Sequence, residues 1–434
     1  MSSLDVAILG GGLAGTAASI HLARRGLSVR CIESAADTPV MVGESLDWSA
    51  PPLLAELGLP IQRLLTDGIA TWKKKVIVTV NNGATREYIP GLWLARAPWH
   101  VELNTLHVDR IGLRDQLRDL AHAAGVGVVP DKVAAVETSG DRIRSVVTAS
   151  GQTIEARWYI DASGLAASLL PRRFALPARD YGPQKVAIWN YFTVADPAEG
   201  TTIHAQCSGT RYLEWIWEIP INPTTIGVGY VAPAEVIKAQ RQQGLTVDAI
   251  YAGALSRIPR LAAQMSAAHL SALHVVSFRC RVHRRISGPN WLATGESACM
   301  VDPMTSNGVT AALRHAQEAA RLIVRSRHRT RLPRVGARLY DRRARDLAQF
   351  FNCGIEKVIY DWPVRERIGP FAAARTYTVF AWLFNLFYTR LQPRGILTTY
   401  LFGAVLATLR GAARAAHWLC RRFPRAATCA VGAA

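Results

Sequence analysis

The stretch DVAILGGGLAGTAASIHLARRGLSVRCIE, Asp5–Glu33, decides the fold. Its pattern predicts a buried strand, a glycine turn, a helix and a second strand that ends in an acid. Gly10, Gly12 and Gly15 form a G-x-G-x-x-G motif, in which the first glycine permits a tight turn, the second lets a pyrophosphate approach the backbone, and the third lets the helix pack on the strand. Glu33 stands close to the offset of about 20 residues at which an acid binds a ribose hydroxyl. The stretch therefore predicts a Rossmann-like dinucleotide-binding domain.

The rest of the chain indicates that this domain is discontinuous. VDRIGLRDQLRDLAHAAGVGVV, from residue 108, predicts an amphipathic helix that runs into a strand, and RWYIDASGLAAS predicts a buried strand. Between Lys185 and about His274 the apolar residues alternate with period two, which is typical of strands in a second sheet. We therefore assign residues 1–75, 106–180 and 275–345 to the dinucleotide-binding domain, 76–105 and 181–274 to an inserted sheet domain, and 346–434 to a helical, apolar C-terminal region.

Charge and cysteine content narrow the functional class. The 434 residues include 51 Lys and Arg against 32 Asp and Glu, a net charge of +19. Ten arginines lie close together in the sequence: Arg321, Arg325, Arg327, Arg329, Arg331, Arg334, Arg338, Arg342, Arg343 and Arg345. They form a solvated face or a docking surface for an acidic partner or an anionic membrane. No aromatic interleaving or nucleic-acid motif accompanies them, so nucleic-acid binding is not expected.

The compartment is expected to be the cytoplasm. Seven scattered cysteines without C-x-x-C spacing predict reduced thiols and no metal site, and the N-terminus shows no signal peptide. Two apolar stretches near the C-terminus, TYTVFAWLFNLFY and LTTYLFGAVLATL, are each about 13 residues long, short of the ~20 residues that span a bilayer. They predict helices that cover the core or a substrate channel; with Arg421, Arg422 and Arg425 beside them, peripheral membrane contact is the alternative.

A tryptophan motif brings in a family resemblance. LEWIWEIPI contains Trp215, Trp217, Ile219 and Pro220 in a W-x-W-x-I-P pattern. Together with the glycine motif it resembles the flavin-dependent halogenases, within the flavoproteins built like para-hydroxybenzoate hydroxylase. The resemblance implies that the dinucleotide is FAD and that the rings wall the space between flavin and substrate. Two aromatic side chains on one face of a strand are the structural alternative. The implied fold is α/β, with a Rossmann-like FAD-binding domain, an inserted mainly antiparallel β-sheet substrate domain and a helical C-terminal region.

A second motif, MVDPMTSNG, Met300–Gly308, is similar to the family's loop beside the flavin in Pro303, Ser306 and Gly308. By this resemblance the backbone amides of Asn307 and Gly308 hold the halide; a plain helix-capping loop is the alternative. Tryptophan-acting members carry a glutamate where this chain has Thr305, which favours a phenolic or pyrrole substrate. The remaining residues that the resemblance assigns to the cofactor are Ser45, Arg110, Asp161, Gly295 and Glu296, the last at a position where the wider group has Asp.

The third motif concerns the catalytic lysine. MVGES is similar to the family's G-E-[SA]-T-I-P, although Asp47 and Trp48 interrupt it, and LTDGIATWKKKVIVTV follows. The family's essential lysine precedes an alternating strand, which favours Lys73, with Lys75 second. Glu44 is the expected partner for orientation or charge balance. A solvated run of lysines is the alternative.

The resemblance implies a reaction. Reduced FAD, delivered by a separate flavin reductase because no second glycine motif is present for NAD(P)H, would use O2 and halide to give hypohalous acid. That species would pass the tryptophans to Lys73 and halogenate an electron-rich aromatic ring, and the arginines would dock an acidic acyl carrier protein. The alternatives are an FAD-dependent hydroxylase, a lipid- or polyene-type oxidoreductase of the same fold, and a flavoprotein that has lost catalysis.

Overall fold

The structure is a computed structural model that describes residues 4–34, 42–81, 83–89, 95–97, 100, 104–194, 197, 199–207, 211–264, 272–369 and 395–423. Its strands are β1 (Val6–Leu9), β2 (Val29–Ile32), β3 (Ala70–Trp72), β4 (Val76–Val80), β5 (Thr85–Tyr88), β6 (Leu106–Val108), β7 (Gly127–Val129), β8 (Val133–Ser139), β9 (Arg142–Thr148), β10 (Thr153–Glu155), β11 (Trp158–Asp161), β12 (Ala178–Thr193), β13 (Thr201–Gln206), β14 (Glu214–Asn222), β15 (Thr225–Pro233), β16 (His274–His283), β17 (Trp291–Ala293) and β18 (Cys299–Met300).

The α-helices of the described residues are α1 (Leu13–Ala23), α2 (Ala50–Glu56), α3 (Ile61–Thr66), α4 (Arg110–Ala123), α5 (Gly164–Ala167), α6 (Leu169–Arg173), α7 (Ala234–Gln242), α8 (Val247–Ser256), α9 (Pro259–Gln264), α10 (Gly308–Arg325), α11 (Arg334–Gly354), α12 (Trp362–Ile368) and α13 (Ile396–Arg422).

The first layer is a parallel five-stranded sheet in the order β17-β11-β1-β2-β7. Every residue of β1 is buried, as expected for a parallel strand covered on both faces. Helix α1 packs against α4 and α10. This is the arrangement that the glycine motif predicts.

The second layer is an eight-stranded sheet in the order β18-β16-β12-β15-β14-β13-β4-β5, antiparallel except between β13 and β4. One face packs on the C-terminal helices and the other on α7, α8 and α9. The sheet extends slightly beyond the segments predicted for it: β12 begins at Ala178, and β16 runs to His283, inside the ranges assigned to the dinucleotide-binding domain.

A short antiparallel pair, β3 with β6, belongs to the core of the five-stranded layer and contacts β14 of the eight-stranded one. The segment after Gly43 runs alongside β6, because the Val108 amide donates to the Glu44 carbonyl and the Leu46 amide to the Leu106 carbonyl, at 2.8 and 3.0 Å. Strand β6 therefore lies between the segment after Gly43 and β3, the strand that ends before Lys73.

The C-terminal region is helical. Helix α11 continues into a π-helical turn, Ile355–Tyr360. LTTYLFGAVLATL lies within α13, which has 27 residues and is, among the described residues, the one helix long and apolar enough to cross a membrane. The expectation of a helix too short to span is thus corrected; TYTVFAWLFNLFY lies outside the described residues.

The prediction that the cysteines are all reduced thiols is wrong at one position. Cys31, Cys280, Cys299, Cys353 and Cys420 are free, whereas Cys207 is disulfide-bonded. Within the described part of the chain, no group of three His, Cys, Asp or Glu side chains is arranged to hold a metal ion.

Candidate functional site

The glycine turn forms a cradle that only glycine can form. Gly10 has φ of +106°, and a Cβ added there would lie 2.6 Å from the carbonyl oxygen of Ala162. A Cβ on Gly15 would collide with the carbonyl oxygen of Gly10, whereas one on Gly12 would meet no atom within 4 Å. The first and third glycines thus permit close packing, and the second leaves open space at the N-terminus of α1. The positive end of the helix faces that space, which suits a pyrophosphate.

Arg110 supplies a positive charge beside this space. Its side chain lines a cleft together with Gly12, Leu13 and Thr16. Its Nε and Nη1 atoms are shielded from water and have no hydrogen-bond partner. Burial lowers the pKa of Arg110, and the charges of Glu44 and Glu296 oppose that shift. Shielded polar atoms are normally satisfied, so the orphaned guanidinium fits an anionic group such as the diphosphate of FAD.

The Pro303–Gly308 loop forms a second open surface at a helix N-terminus. Asp302 caps a short 3₁₀ turn by accepting from the Met304 amide, and Ser306 adopts a left-handed conformation with φ of 57°. Gly308 is exposed, a Cβ there would meet no atom within 4 Å, and it begins the 18-residue helix α10. An exposed helix N-terminus of this kind can bind an anion, which is the setting predicted for halide.

Lys73 is buried in a polar pocket at the end of β3. The side chain is only 4% exposed. Its Nζ donates to the Leu46 carbonyl at 2.8 Å and lies 4.8 Å from the centre of the Trp48 ring. Burial lowers its pKa from 10.5 to about 7, and the nearby Asp47 carboxylate partly opposes this. A lysine in this state exists as both amine and ammonium near neutral pH.

Lys75 has a different environment. Its Nζ forms an ion pair with Glu87 at 2.9 Å, and its side chain is partly exposed. Burial and the lowered pKa suit Lys73 to act as an amine, whereas the Nζ of Lys75 is held in an ion pair near the surface.

A model of the family described as tryptophan halogenase matches residues 97–350, and a model of FAD-dependent oxidoreductases matches residues 5–171. The chain belongs to the tryptophan halogenase family. The predicted family and the FAD cofactor are thereby confirmed, as is the assignment to FAD-dependent oxidoreductases.

Curated relatives include the tryptophan 2-halogenase of Chondromyces crocatus, 29% identical over 74% of this chain and 60% of the relative. The 1H-pyrrole-2-carbonyl-peptidyl-carrier-protein brominase of Pseudoalteromonas luteoviolacea is 26% identical over 73% of this chain and 76% of the relative. The match thus spans less than two thirds of the length of the first of these.

Solved structures support the fold. The flavin-dependent brominase Bmp2 aligns with a TM-score of 0.70 at 22% identity, covering 97% of this chain and all of that one. The flavin-dependent halogenase CmlS aligns with a TM-score of 0.70 at 25% identity, covering 87% of this chain and 68% of that one. The predicted α/β fold with its Rossmann-type domain and helical C-terminal region is confirmed.

In this halogenase fold, other predicted cofactor residues mainly contact the chain itself. Glu33 pairs with Arg118 at 2.5 Å. Asp161 is buried, and its carboxylate accepts from the Ser163 hydroxyl and from the Leu170 amide, which fixes the turn after β11. Glu296 is exposed, and an added Cβ on the neighbouring Gly295 would lie 2.9 Å from the Ala14 side chain, so the loop approaches α1 closely. Their roles toward FAD stay predictions.

Glu44 is buried beside Tyr191. Its carboxylate accepts from the Tyr191 hydroxyl at 2.6 Å and from the Gly43 amide at 2.8 Å. Burial raises its pKa, and these hydrogen bonds oppose that shift. The predicted role of Glu44 as an orienting partner of the lysine stays a prediction, since the hydrogen-bond partner of the lysine Nζ is a backbone carbonyl.

A chain of hydroxyl groups joins the Pro303–Gly308 loop to the lysine pocket. The Ser306 hydroxyl lies 3.1 Å from that of Ser45, which lies 2.9 Å from the Thr201 hydroxyl, and His107 Nε2 lies 2.8 Å from the latter. His107 is fully buried and its Nδ1 has no hydrogen-bond partner. Burial first, and the Lys73 charge second, lower its pKa, so the imidazole is neutral.

Ser45 is among the residues that the sequence predicts for the site, whereas no sequence motif points to His107 or Thr201. A histidine between Leu106 and Val108 in a short apolar strand is a usable signal of a buried polar contact, whereas Thr201 gives none, because its partners come from distant segments. Asp47 and Trp48 are a different case. They look like an interruption of the family motif, but in the structure they are the two residues placed beside Lys73.

The tryptophan motif is connected to the Pro303–Gly308 loop. Trp215 Nε1 donates to the Tyr360 hydroxyl at 2.7 Å, which in turn donates to Asp302 at 3.3 Å. Asp302 also pairs with Lys185 at 2.6 Å, and both side chains are buried. Trp217 fills the space that Gly229 leaves open. The two rings, with centroids 5.6 Å apart, share an apolar cluster with Met304 and Leu165.

The far end of the same motif reaches the lysine strand. Thr71 lies two residues before Lys73, and its hydroxyl donates to the Pro220 carbonyl at 2.8 Å. Ile219 is buried in the same apolar cluster as the two tryptophans. The motif is therefore linked at one end to the Pro303–Gly308 loop through Tyr360 and Asp302, and at the other end to β3, the strand before Lys73. Its predicted action as a wall between flavin and substrate stays a prediction.

Proposed function

We propose that the chain is a flavin-dependent halogenase that uses reduced FAD, O2 and halide to halogenate an electron-rich aromatic ring, a phenol or a pyrrole bound to a carrier protein. The observation that carries the proposal is the burial of Lys73, with its pKa lowered to about 7, in a member of the tryptophan halogenase family.

Gly12 and Arg110 would hold the diphosphate of FAD, and the N-terminus of α10 at Asn307 and Gly308 would hold the halide. Reduced FAD, when bound, would supply two electrons and two protons, with which O2, halide and one further proton become hypohalous acid and water. Lys73 then binds the hypohalous acid, since its ammonium form donates a hydrogen bond and its amine form is nucleophilic. Trp48 and the surrounding backbone shield the Nζ from bulk water, which limits loss of the oxidant.

Two features support a carrier-bound pyrrole or a phenol over free tryptophan. Thr305 occupies the position of the glutamate found in tryptophan-acting members, and its half-buried hydroxyl has no hydrogen-bond partner. Two curated relatives, a brominase and a chlorinase, are named for a pyrrole carried on a peptidyl carrier protein. We extend that substrate class to this chain.

A carrier protein would dock on the arginines. Those that are exposed are Arg325, Arg327, Arg329, Arg331, Arg334 and Arg338. An acidic carrier would be attracted by this charge and gain association rate more than intrinsic affinity. Reversal of Arg329, Arg331 and Arg334 to Glu should raise KM for the carrier-bound substrate and leave a free aromatic substrate unaffected; an unchanged KM for the carrier-bound form contradicts the docking site. The separate flavin reductase completes the proposal, because the sequence holds one glycine motif only.

The decisive assay combines purified protein with FAD, a flavin reductase, NADH, O2 and bromide. A pyrrole loaded on a carrier protein and a free phenol are offered in parallel, and products are identified by mass spectrometry. A bromine isotope doublet is expected. A product heavier by one oxygen would replace the proposal with a hydroxylase, and no product from either substrate, with FAD bound and reoxidised, would leave a flavoprotein without halogenation.

A matched pair of variants ties the activity to the proposed residue. Lys73→Met should abolish halogenation while FAD binding and reoxidation by O2 persist. Lys75→Met changes a lysine two positions away whose charge is paired with Glu87 on the surface, and it should retain most of the activity. Equal loss in both variants would show that the run of lysines acts through general charge and not through Lys73.

A further inference from the structure

The C-terminal helix α13 turns an apolar surface away from the body of the protein. Seven of its large apolar side chains are exposed, from 41% at Val405 to 79% at Leu397. We call them the outer face of α13: Ile396, Leu397, Tyr400, Leu401, Val405, Trp418 and Leu419. At 3.6 residues per turn they all fall on one half of the helix circumference. A monomeric protein seldom exposes so continuous an apolar surface unless something covers it.

The opposite half of the α13 circumference packs against the rest of the protein. Leu406 is fully buried, and Gly403 lies so close to Asp346 that an added Cβ would be 2.6 Å from its carboxylate. Arg410 hydrogen-bonds to Gln349, and His417 Nε2 lies 3.0 Å from Asp361. A helix held by polar contacts along its length cannot cross a bilayer without exposing those groups to hydrocarbon. Helix α13 is long enough to cross a bilayer, but its polar contacts with the rest of the protein are incompatible with a transmembrane position.

Charge indicates what covers the outer face. Helix α13 contains no Asp or Glu, and Arg414, Arg421 and Arg422 are exposed on it. Arg342 of the neighbouring α11 lies 4.3 Å from the centre of the Tyr400 ring. Apolar side chains flanked by arginines, with Trp and Tyr near the boundary, are the composition of helices that lie in a membrane interface.

We propose that α13 docks the protein on an anionic membrane surface, with its outer face immersed among the lipid headgroups and its arginines on the phosphates. The cytoplasmic leaflet carries the required negative potential, in agreement with the expected cytoplasmic location. This surface is separate from the flavin and lysine sites, so the proposal stands or falls independently of halogenation.

Two other occupants fit the charges less well. A twofold dimer through the outer face would bring the arginines of one copy toward those of the other, because the same patch forms both sides of such an interface. Residues 370–394 of the same chain contain three arginines and no acidic residue, so they would add positive charge as well. Anionic lipid is the partner that neutralises it.

The test uses the FAD-loaded protein and sucrose-loaded vesicles of phosphatidylcholine, with or without phosphatidylglycerol, sedimented to measure partitioning. The variant Leu397→Glu/Leu401→Glu places charge on the outer face. The matched control, Val128→Glu/Val275→Glu, changes two apolar residues that are 62% and 53% exposed on other elements. Because all four side chains are exposed, both variants should fold and retain FAD.

The wild type and the control should bind the vesicles with phosphatidylglycerol, less strongly at high salt. The outer-face variant should partition about 100-fold more weakly, since each leucine contributes about tenfold when it is buried. Absence of vesicle binding by the wild type, or binding that the outer-face variant retains, overturns the proposal. So does a dimer, seen by light scattering without vesicle binding, that the outer-face variant dissociates, which would assign the surface to a second copy.

Discussion

Near neutral pH, the Lys73→Met variant should be more stable than the wild type. This difference in unfolding free energy should shrink as the pH rises. Burial lowers the pKa of Lys73 from 10.5 to about 7, so between these values the unfolded state binds the additional proton, and wild-type stability rises with pH. With these two pKa values, the linkage relation gives a penalty of about 4 kcal/mol at about pH 7 and about 1.4 kcal/mol at about pH 9.5. Methionine has a similar volume and carries no such penalty.

The hydrogen bond to Leu46 and the contact with Trp48 are lost in the variant, at about 1 kcal/mol each. Their loss offsets part of the gain, and any dependence of these contacts on protonation is already contained in the lowered pKa of Lys73. The difference in unfolding free energy between variant and wild type should therefore shift by about 3 kcal/mol between the two pH values. Burial raises the pKa of Asp47, and the Ser49 amide and the Arg314 charge, which oppose that shift, both remain in the variant.

The assay is urea unfolding followed by tryptophan fluorescence at both pH values, after refolding has been shown to restore the starting signal. The Lys75→Met variant, which removes a partly exposed lysine two positions away, is the control for the general effect of removing a positive charge from this segment. A gap between Lys73→Met and wild type that stays constant from about pH 7 to about pH 9.5 would refute the reasoning, because the lysine would then carry its proton in both states.

Three further predictions follow from buried contacts. Lys185→Met and Asp302→Asn should each destabilise the protein by about 3–5 kcal/mol, because each leaves one buried charge unpaired; in urea unfolding the double variant should lose less than the sum, and additivity would argue against coupling. Gly229→Ala should lower the unfolding free energy by about 1–3 kcal/mol, because the new methyl group collides with a tryptophan ring. Gly253→Ala, with open space at its Cβ, should be neutral or stabilising in thermal unfolding. Arg110→Met should weaken FAD binding about tenfold or more in a fluorescence titration without destabilising the apoprotein, and unchanged affinity would remove Arg110 from the cofactor site.

Some of the fold and the site can be read directly from the sequence. The glycine turn is predictable because its constraint is local: φ of +106° at Gly10 and the contact of Gly15 with its carbonyl arise within six residues. Period-two alternation predicts the strands of the inserted sheet for the same reason. Lys73 is predictable from its position before an alternating strand, once the family is suspected.

The remaining features depend on contacts between distant segments. Asp47 and Trp48 break a local motif, and only the pairing of this segment with β6 shows that they face Lys73. Thr201 reaches His107 and Ser45 from the far sheet. The full length of α13 cannot be predicted from the sequence, because the apolar stretch stops before Arg410. In the structure the helix continues through Arg410, which hydrogen-bonds to Gln349 on α11. No local pattern reports such a partner.

The hydrogen bonds from Trp215 to Tyr360 and from Tyr360 to Asp302 bear on how halogenases of this family can be recombined. The loop that begins at Asp302 is positioned in part by a hydroxyl from the π-helical turn, which follows the residues matched by the family model. A chimera that takes its first 350 residues from this chain and its C-terminal helices from another member must supply a hydroxyl at the place of Tyr360. Without one, the exchange would transfer the helices but leave the loop after Asp302 and strand β14 without the hydroxyl that both contact. Exchanges intended to alter substrate range should therefore place the crossover after Tyr360.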